Sequence, residues 1–319
     1  MTEIAILDDY QKAAGTMADW QSLGPDYDLT YFHDHVTEST ALAARLAPFE
    51  IIVAMRERTS FSRALFERLP ALRLLVTTGM RNASIDLKAA AERGITVCGT
   101  QGLSYPTAEL AWGLILSLAR RIWIEDAELR AGHFQTTLGI GLNGKTLGVI
   151  GLGTLGSRVA RFGTAFEMEV LAWSQNLTAD RAAAVGATLV TKEELLRRSD
   201  FISLHLVLSD RSRGIIGAPE LALMKPTAYL VNTSRAPLVD ADALLRVLEE
   251  GRIAGAGLDV YDEEPLPAHH PLTGLRNVVL TPHLGYVTAE TYRIFYGQAV
   301  EDIRAYRDGK PVRVLTTVA

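Results

Sequence analysis

From Lys145 to Phe166 the chain reads KTLGVIGLGTLGSRVARFGTAF: an apolar strand-like run, a glycine-rich turn and an amphipathic helical stretch. Gly151, Gly153 and Gly156 form GLGTLG at the junction. In this setting the first glycine permits a tight turn, the second lets backbone approach a pyrophosphate, and the third allows close helix–strand packing. The phosphates of a dinucleotide would sit at the helix N-terminus. Glycine is common here, at 26 residues, so the bare spacing says little. The strand before it and the helix after it make the reading specific.

Around this turn the chain repeats a simple alternation. EIAILDD, YDLTYF, EIIVAM, LRLLVTT and GITVCG read as strands in the first hundred residues, with helical stretches such as TALAARLAPF and SRALFERLP between them. A second series runs through KTLGVI, EVLAWS, DFISLHL, AYLVN, AGAGLDV and NVVLTP. Strands alternating with helices predict parallel sheets covered by helices, an α/β fold in two domains. Pro106 opens one long helical stretch, PTAELAWGLILSLARRIWIEDAELRAG, and TAETYRIFYGQAVEDIRAYRDG forms another. They serve as crossings between the domains. We therefore expect residues 106–289 to form a dinucleotide-binding domain inserted into a domain made of 1–105 and 290–319.

Three polar residues follow the last strands of the second series: Arg235 in LVNTSRAP, Glu264 in LDVYDEEPLP and His283 in LTPHLG. Arg can grip a carboxylate and polarise a carbonyl. His can donate a proton near neutral pH, and a neighbouring Glu favours its cation. Singly, each has an ordinary structural explanation. Delivered together to neighbouring strand ends, they form a kit for a 2-keto acid. The end of the second strand, VLAWSQN, normally carries an acid that bonds the adenosine ribose. Here Ser174, Gln175 and Asn176 occupy it, so the reading leaves NAD and NADP both open.

A net charge of -5 and a pI near 5.8 argue against a nucleic-acid partner. The apolar run AELAWGLILSLA is too short to span a bilayer, and MTEIAILDD lacks the basic start of a signal peptide. The sole cysteine, Cys98, lies in a strand-like run and reads as an inert core thiol in a reducing cytoplasm. No metal site is expected.

In order and spacing, GLGTLG, HLVLSDRSRGIIGAPELALMKPTAYLVNTSRAPLVD, GLDVYDEEPLP and TPHLG resemble the D-isomer-specific 2-hydroxyacid dehydrogenases. LRLLVTTGMRNASIDLKAAAERGITVCGT and PTAELAWGLIL resemble the same family's substrate-domain stretch and interdomain helix. The resemblance implies a Rossmann domain inserted into a flavodoxin-like substrate domain, and hydride transfer between NAD or NADP and C2 of a small 2-hydroxyacid or 2-keto acid. It implies Arg235 as substrate-orienting cation, His283 as acid/base and Glu264 as its partner. For the cofactor it implies Gly151, Gly153, Thr154, Leu155 and Gly156 at the pyrophosphate. Ser174, Gln175 and Asn176 fall at the ribose, with Leu206, Val207, Thr233, Ser234, Arg235, Asp259, His283 and Gly285 completing the cofactor set. Asp259 matches the residue that bonds the nicotinamide carboxamide. Substrate contacts fall on Arg56, Thr78, Gly79, Met80, Arg235 and His283; Arg56 either meets a distal anionic group or pairs with Glu57.

The usual glycine after the catalytic Arg is Ala236 here. The family's formate dehydrogenases pair the His with Gln, whereas this chain has Glu264, which disfavours formate oxidation. The chain runs to Ala319, and feedback control through a C-terminal regulatory domain is not expected. The resemblance also predicts a homodimer, to which the apolar helix AELAWGLILSLA would contribute, and hinge closure over substrate. An alternative is an NAD(H)-sensing scaffold like the family's corepressor relatives, since such proteins can retain the same three residues.

Overall fold

The computed structural model describes residues 1–315. The chain forms two compact units. Met1–Leu103 joins with the chain from Val287 onward, and Ser104–Tyr286 forms the second unit in one run. The boundaries fall at 103/104 and 286/287, where the sequence pattern suggests 105/106 and 289/290.

The first unit is built on five strands, β1 (Thr2–Ile6), β2 (Tyr27–Tyr31), β3 (Ile51–Ala54), β4 (Leu74–Thr77) and β5 (Thr96–Gly99). All pair in parallel, in the order β2-β1-β3-β4-β5. That is the flavodoxin-like order. Every residue of β3 and β4 is buried, as expected of strands covered on both faces. Ile52, Leu75 and Val97 pack with Leu46, Phe61 and Phe66. The helix Ala289–Arg307, capped by Thr288 and followed by Gly309 at φ +70°, belongs to this unit and buries Phe295, Tyr296 and Ile303. Beyond it the VRVL segment adds an antiparallel bridge to β5, with Gly99 N–H donating to Arg313 O and Leu315 N–H to Val97 O.

The second unit carries seven parallel strands: β6 (Thr146–Ile150), β7 (Glu169–Trp173), β8 (Thr188–Leu189), β9 (Phe201–Leu204), β10 (Tyr229–Asn232), β11 (Gly255–Leu258) and β12 (Val278–Leu280). Their order is β12-β11-β10-β9-β6-β7-β8, a Rossmann sheet with its topological switch between β6 and β9. Alternate residues feed two cores. Leu147, Val149 and Val231 face one, while Ile150, Leu230 and Ala256 face the other. The two-residue strand β8, in GATLV, adds an edge that the sequence pattern does not announce.

One expectation needs correction. The long stretch opened by Pro106 is two helices, Pro106–Arg120 and Ile122–Arg130, broken at Arg121 with φ +54°. The first buries Ala111, Trp112, Leu114, Ile115 and Leu118 within its own unit, in contact with β10, β11 and β12. Most of its apolar face therefore packs within its own unit, while Leu110 and Leu116 stay half-buried. The exposed apolar residues lie further on, at Ile122, Leu129, Phe134 and Leu138.

Candidate active site

The glycine turn closes as its spacing requires. Gly151 has φ +98°, and a Cβ there would meet the His205 carbonyl at 2.7 Å. A Cβ on Gly156 would meet Gly151 O at 2.0 Å, so neither position admits a side chain without movement. At Gly153, the N-cap of the helix Thr154–Ala165, a Cβ would meet nothing within 4 Å. Here backbone is open to an approaching phosphate, at the positive end of a twelve-residue helix. Thr154 is exposed and Leu155 half-buried in that first turn. Past β7, Leu177 N–H donates to Ser174 O, leaving Gln175 and Asn176 exposed. Past β9, Leu206 is half-buried, while Val207 is largely exposed and accepts the Ser212 hydroxyl on its carbonyl at 2.7 Å.

Arg235 lies just beyond β10 in extended conformation, ahead of a 3-10 turn at Ala236–Leu238. Asn232 braces this loop from both ends. Its amide donates to Arg235 O at 3.0 Å, and its oxygen accepts Ser234 N–H at 3.0 Å. Ser234 Oγ donates to Leu204 O on the neighbouring strand at 2.7 Å. The guanidinium donates to Ser234 O at 2.8 Å. Ala236 adopts no left-handed conformation, so the family's glycine is not needed there. Thr233 Oγ1 is buried and has no hydrogen-bond partner among the described residues. That orphaned hydroxyl and the open cradle at Gly153 fit a dinucleotide along this sheet edge.

Glu264 and His283 meet. His283 Nδ1 lies 2.6 Å from Glu264 Oε2, and both side chains are about four-fifths buried. Glu264 Oε1 accepts Tyr261 N–H at 3.0 Å. With Nδ1 engaged by a carboxylate it carries the ring proton, so Nε2 is the nitrogen that can exchange a proton with a substrate. His283 sits at φ +55°, which costs a residue with a Cβ on the order of 1 kcal/mol or more. The surroundings hold it there. Asp259, wholly buried, accepts the Thr281 hydroxyl at 2.7 Å, Leu284 N–H at 2.7 Å and Gly285 N–H at 2.9 Å. Burial pushes the Asp259 carboxyl above its usual range, against the lowering effect of those bonds and of His283. Thr107 Oγ1 closes the turn by donating to Gly285 O at 2.8 Å, and Tyr286 stands edge-on to the imidazole at 5.7 Å.

Sequence reasoning passes over Asn232, which braces the backbone of its own loop, and Thr281, whose hydroxyl reaches the Asp259 carboxylate 22 residues earlier. Asn232 had one usable signal: Asn two residues before a serine, at a strand end, is a turn former.

In the first unit, two of the three backbone amides assigned to substrate are already committed. Thr78 N–H donates to Ala54 O at 3.0 Å, and Gly79 N–H to Thr100 Oγ1 at 3.0 Å. This leaves the amide of Met80, whose side chain is 43% exposed. Arg56, at φ +52°, is fixed through its own backbone. Its N–H donates to Thr78 Oγ1 at 2.9 Å and its carbonyl accepts the Asn82 amide at 2.5 Å. Its guanidinium lies over Gly79, where a Cβ would fall 2.0 Å from Nη1.

A Rossmann sheet with a carboxylate-held imidazole and an arginine on adjacent strand ends defines a dinucleotide-dependent oxidoreductase. The D-isomer specific 2-hydroxyacid dehydrogenase NAD-binding domain model matches residues 112–285. The chain is 44% identical over 256 residues to a glyoxylate reductase of Aeropyrum pernix, covering 77% of this chain and 76% of that one. It is 38% identical over 263 residues to a D-3-phosphoglycerate dehydrogenase of Methanocaldococcus jannaschii, covering 81% of this chain and 50% of that one. A phosphoglycerate oxidoreductase structure from Vibrio cholerae superposes with a TM-score of 0.92 at 39% identity, covering 97% of this chain and all of that one. The chain belongs to the D-isomer specific 2-hydroxyacid dehydrogenase family. It is an NAD(P)-dependent enzyme that moves a hydride between the cofactor and C2 of a 2-hydroxy or 2-keto acid.

Proposed function

We propose that the enzyme works as a reductase of small 2-keto acids, with His283 as acid/base, Glu264 as its partner and Arg235 as the substrate-orienting cation. The observation that carries this reading is the 2.6 Å pairing of His283 Nδ1 with Glu264 Oε2. The nicotinamide supplies the hydride. His283 Nε2–H protonates the C2 oxygen as it gains charge, and Glu264 stabilises the imidazolium before that transfer. Arg235 presents a planar fork to the substrate carboxylate and the reacting carbonyl. In the oxidative direction the neutral ring takes the proton back.

Thr154, Leu155 and the three glycines are assigned to the pyrophosphate, Ser174, Gln175 and Asn176 to the ribose, and Leu206, Val207, Thr233, Ser234, Asp259 and Gly285 to the remaining cofactor contacts. With three of its carboxylate lone-pair positions taken, Asp259 has one left for a carboxamide. On the first unit, Met80 N–H and Arg56 are assigned to the anionic end of the substrate, with Thr78 and Gly79 shaping that loop. Glyoxylate, named by the Aeropyrum relative, is the first candidate substrate. We further assign a cytoplasmic homodimer. Its support is the exposed apolar series Ile122, Leu129, Phe134 and Leu138, between 53% and 89% accessible. No described helix is long and apolar enough to cross a membrane. Nothing in the relatives favours the cofactor-sensing scaffold.

A kinetic screen of glyoxylate, hydroxypyruvate, pyruvate and larger 2-keto acids with NADH and NADPH in parallel tests the reading. Turnover of at least one small acid is expected, and none with either cofactor would refute it. Light scattering showing a monomer at micromolar concentration would remove the dimer.

A further inference from the structure

Glu264 and His283 come from different loops, after β11 and after β12, and something must fix the distance between them. The loop carrying Glu264 borders a cavity of about 250 Å³ lined by Tyr261, Asp262, Glu263, Leu266, His270 and Leu272, among others.

Tyr261 bridges the two loops. Its hydroxyl is 3.0 Å from Leu258 O, the last residue of β11, and 3.0 Å from Thr281 O, just past β12. Thr281 O is the same carbonyl that accepts His283 N–H at 2.9 Å. The main chain of Tyr261 serves the other partner, donating its N–H to Glu264 Oε1 at 3.0 Å. One residue thus holds the carboxylate through its backbone and the imidazole's turn through its side chain. The phenol has a single proton and shares it between two carbonyls, so removing the oxygen releases both at once.

We propose that Tyr261 is a positioning residue for proton transfer, setting the spacing of the Glu264–His283 pair without touching the substrate. Burial, with the charges of Asp259 and Glu264, pushes the phenol above its ordinary range and keeps it a donor. The groups facing the imidazole include Glu264, Asp259 and Tyr286, and none of these three spans Leu258 O and Thr281 O as Tyr261 does.

This inference rests on the acid/base role assigned to the pair, and its test separates the two. In Tyr261→Phe, kcat for 2-keto acid reduction should fall by about tenfold, with cofactor affinity within twofold of wild type. The downfield proton resonance of the His283 Nδ1–H···Glu264 bond should move upfield or broaden by exchange with water. In a Glu264→Gln background the same change should add little, because both act on one pair. A change in kcat under threefold, an unaltered resonance, or full additivity with Glu264→Gln would overturn the proposal. If wild type reduces no 2-keto acid, the functional reading fails, while the resonance still decides the role of Tyr261.

Discussion

At the end of β1 the chain reads Asp8-Asp9-Tyr10, and at the end of β6, the corresponding first strand of the other sheet, it reads Gly151-Leu152-Gly153. Both strands lie inside parallel sheets, and both feed a turn that leads to a helix. In the first unit the turn is filled by acid. Asp8, at φ +57° and 2% exposed, holds His35 at 2.8 Å and the Thr59 hydroxyl at 3.0 Å. Asp9, 1% exposed, accepts the N–H groups of Ala13 at 2.8 Å and Ala14 at 3.2 Å, the start of a four-residue helix. In the second unit the turn carries no side chain where a phosphate would come, and the helix behind it has twelve residues. The same topology can stage an anion site or occupy it with its own carboxylates. The difference lies in two or three residues at the turn, and it assigns the cofactor to one sheet only.

The most severe way to break this division is to remove the chemistry from the second sheet. His283→Ala should lower kcat by about 10³-fold, within the span of general acid–base catalysis, with cofactor affinity changed only a few-fold. A loss under tenfold would take His283 out of the reaction. The turn itself comes next. Gly156→Val drives a side chain into Gly151 O, and cofactor affinity by fluorescence titration should fall by about 100-fold, near 2.7 kcal/mol. Unchanged affinity would mean that the cofactor does not use this turn. The matching change in the first unit should do the reverse. Asp9→Ala strands the Ala13 and Ala14 amides and should destabilise that unit by about 1–3 kcal/mol in urea unfolding, leaving cofactor affinity intact. A weakened cofactor site in that variant would undo the assignment of separate roles.

How much of this could be read from the chain follows the same contrast. The glycine turn was legible because three glycines between a strand and a helix have few other uses, and the strand-end residues because each follows an apolar run. Asp8 and Asp9 were not, since a pair of acids after a strand looks like solvated loop until the fold buries it. The break at Arg121 carries no glycine or proline. Tyr261 acts through carbonyls of Leu258 and Thr281, which no sequence spacing relates to it. For the apolar helix Pro106–Arg120, composition showed that it needed cover and could not say how much of that cover its own sheet supplies.

The gentlest way to sharpen the comparison is pH, because each unit hides one group that titrates against the other's trend. In the first unit Asp302 is wholly buried. Arg313 donates to its Oδ1 at 3.0 Å, but Oδ2 has no partner among the described residues, and burial pushes the carboxyl up to about 7. Between about pH 4 and 7 the folded unit keeps a proton that the unfolded chain has released, so this group makes the unit less stable as pH rises. In the second unit His205 shares a hydrogen bond with Ser203 Oγ at 2.9 Å, its buried Nδ1 has no partner among the described residues, and burial lowers its pKa to about 4. Between about pH 6.5 and 4 the unfolded chain binds a proton that the folded unit refuses, so here stability falls as pH falls. Calorimetry at pH 5 and 7 should show Asp302→Asn gaining on wild type as pH rises and His205→Gln gaining as pH falls. Were Arg313 to hold Asp302 ionised throughout, Asp302→Asn would instead lose most at pH 7, and the opposition between the two units would collapse.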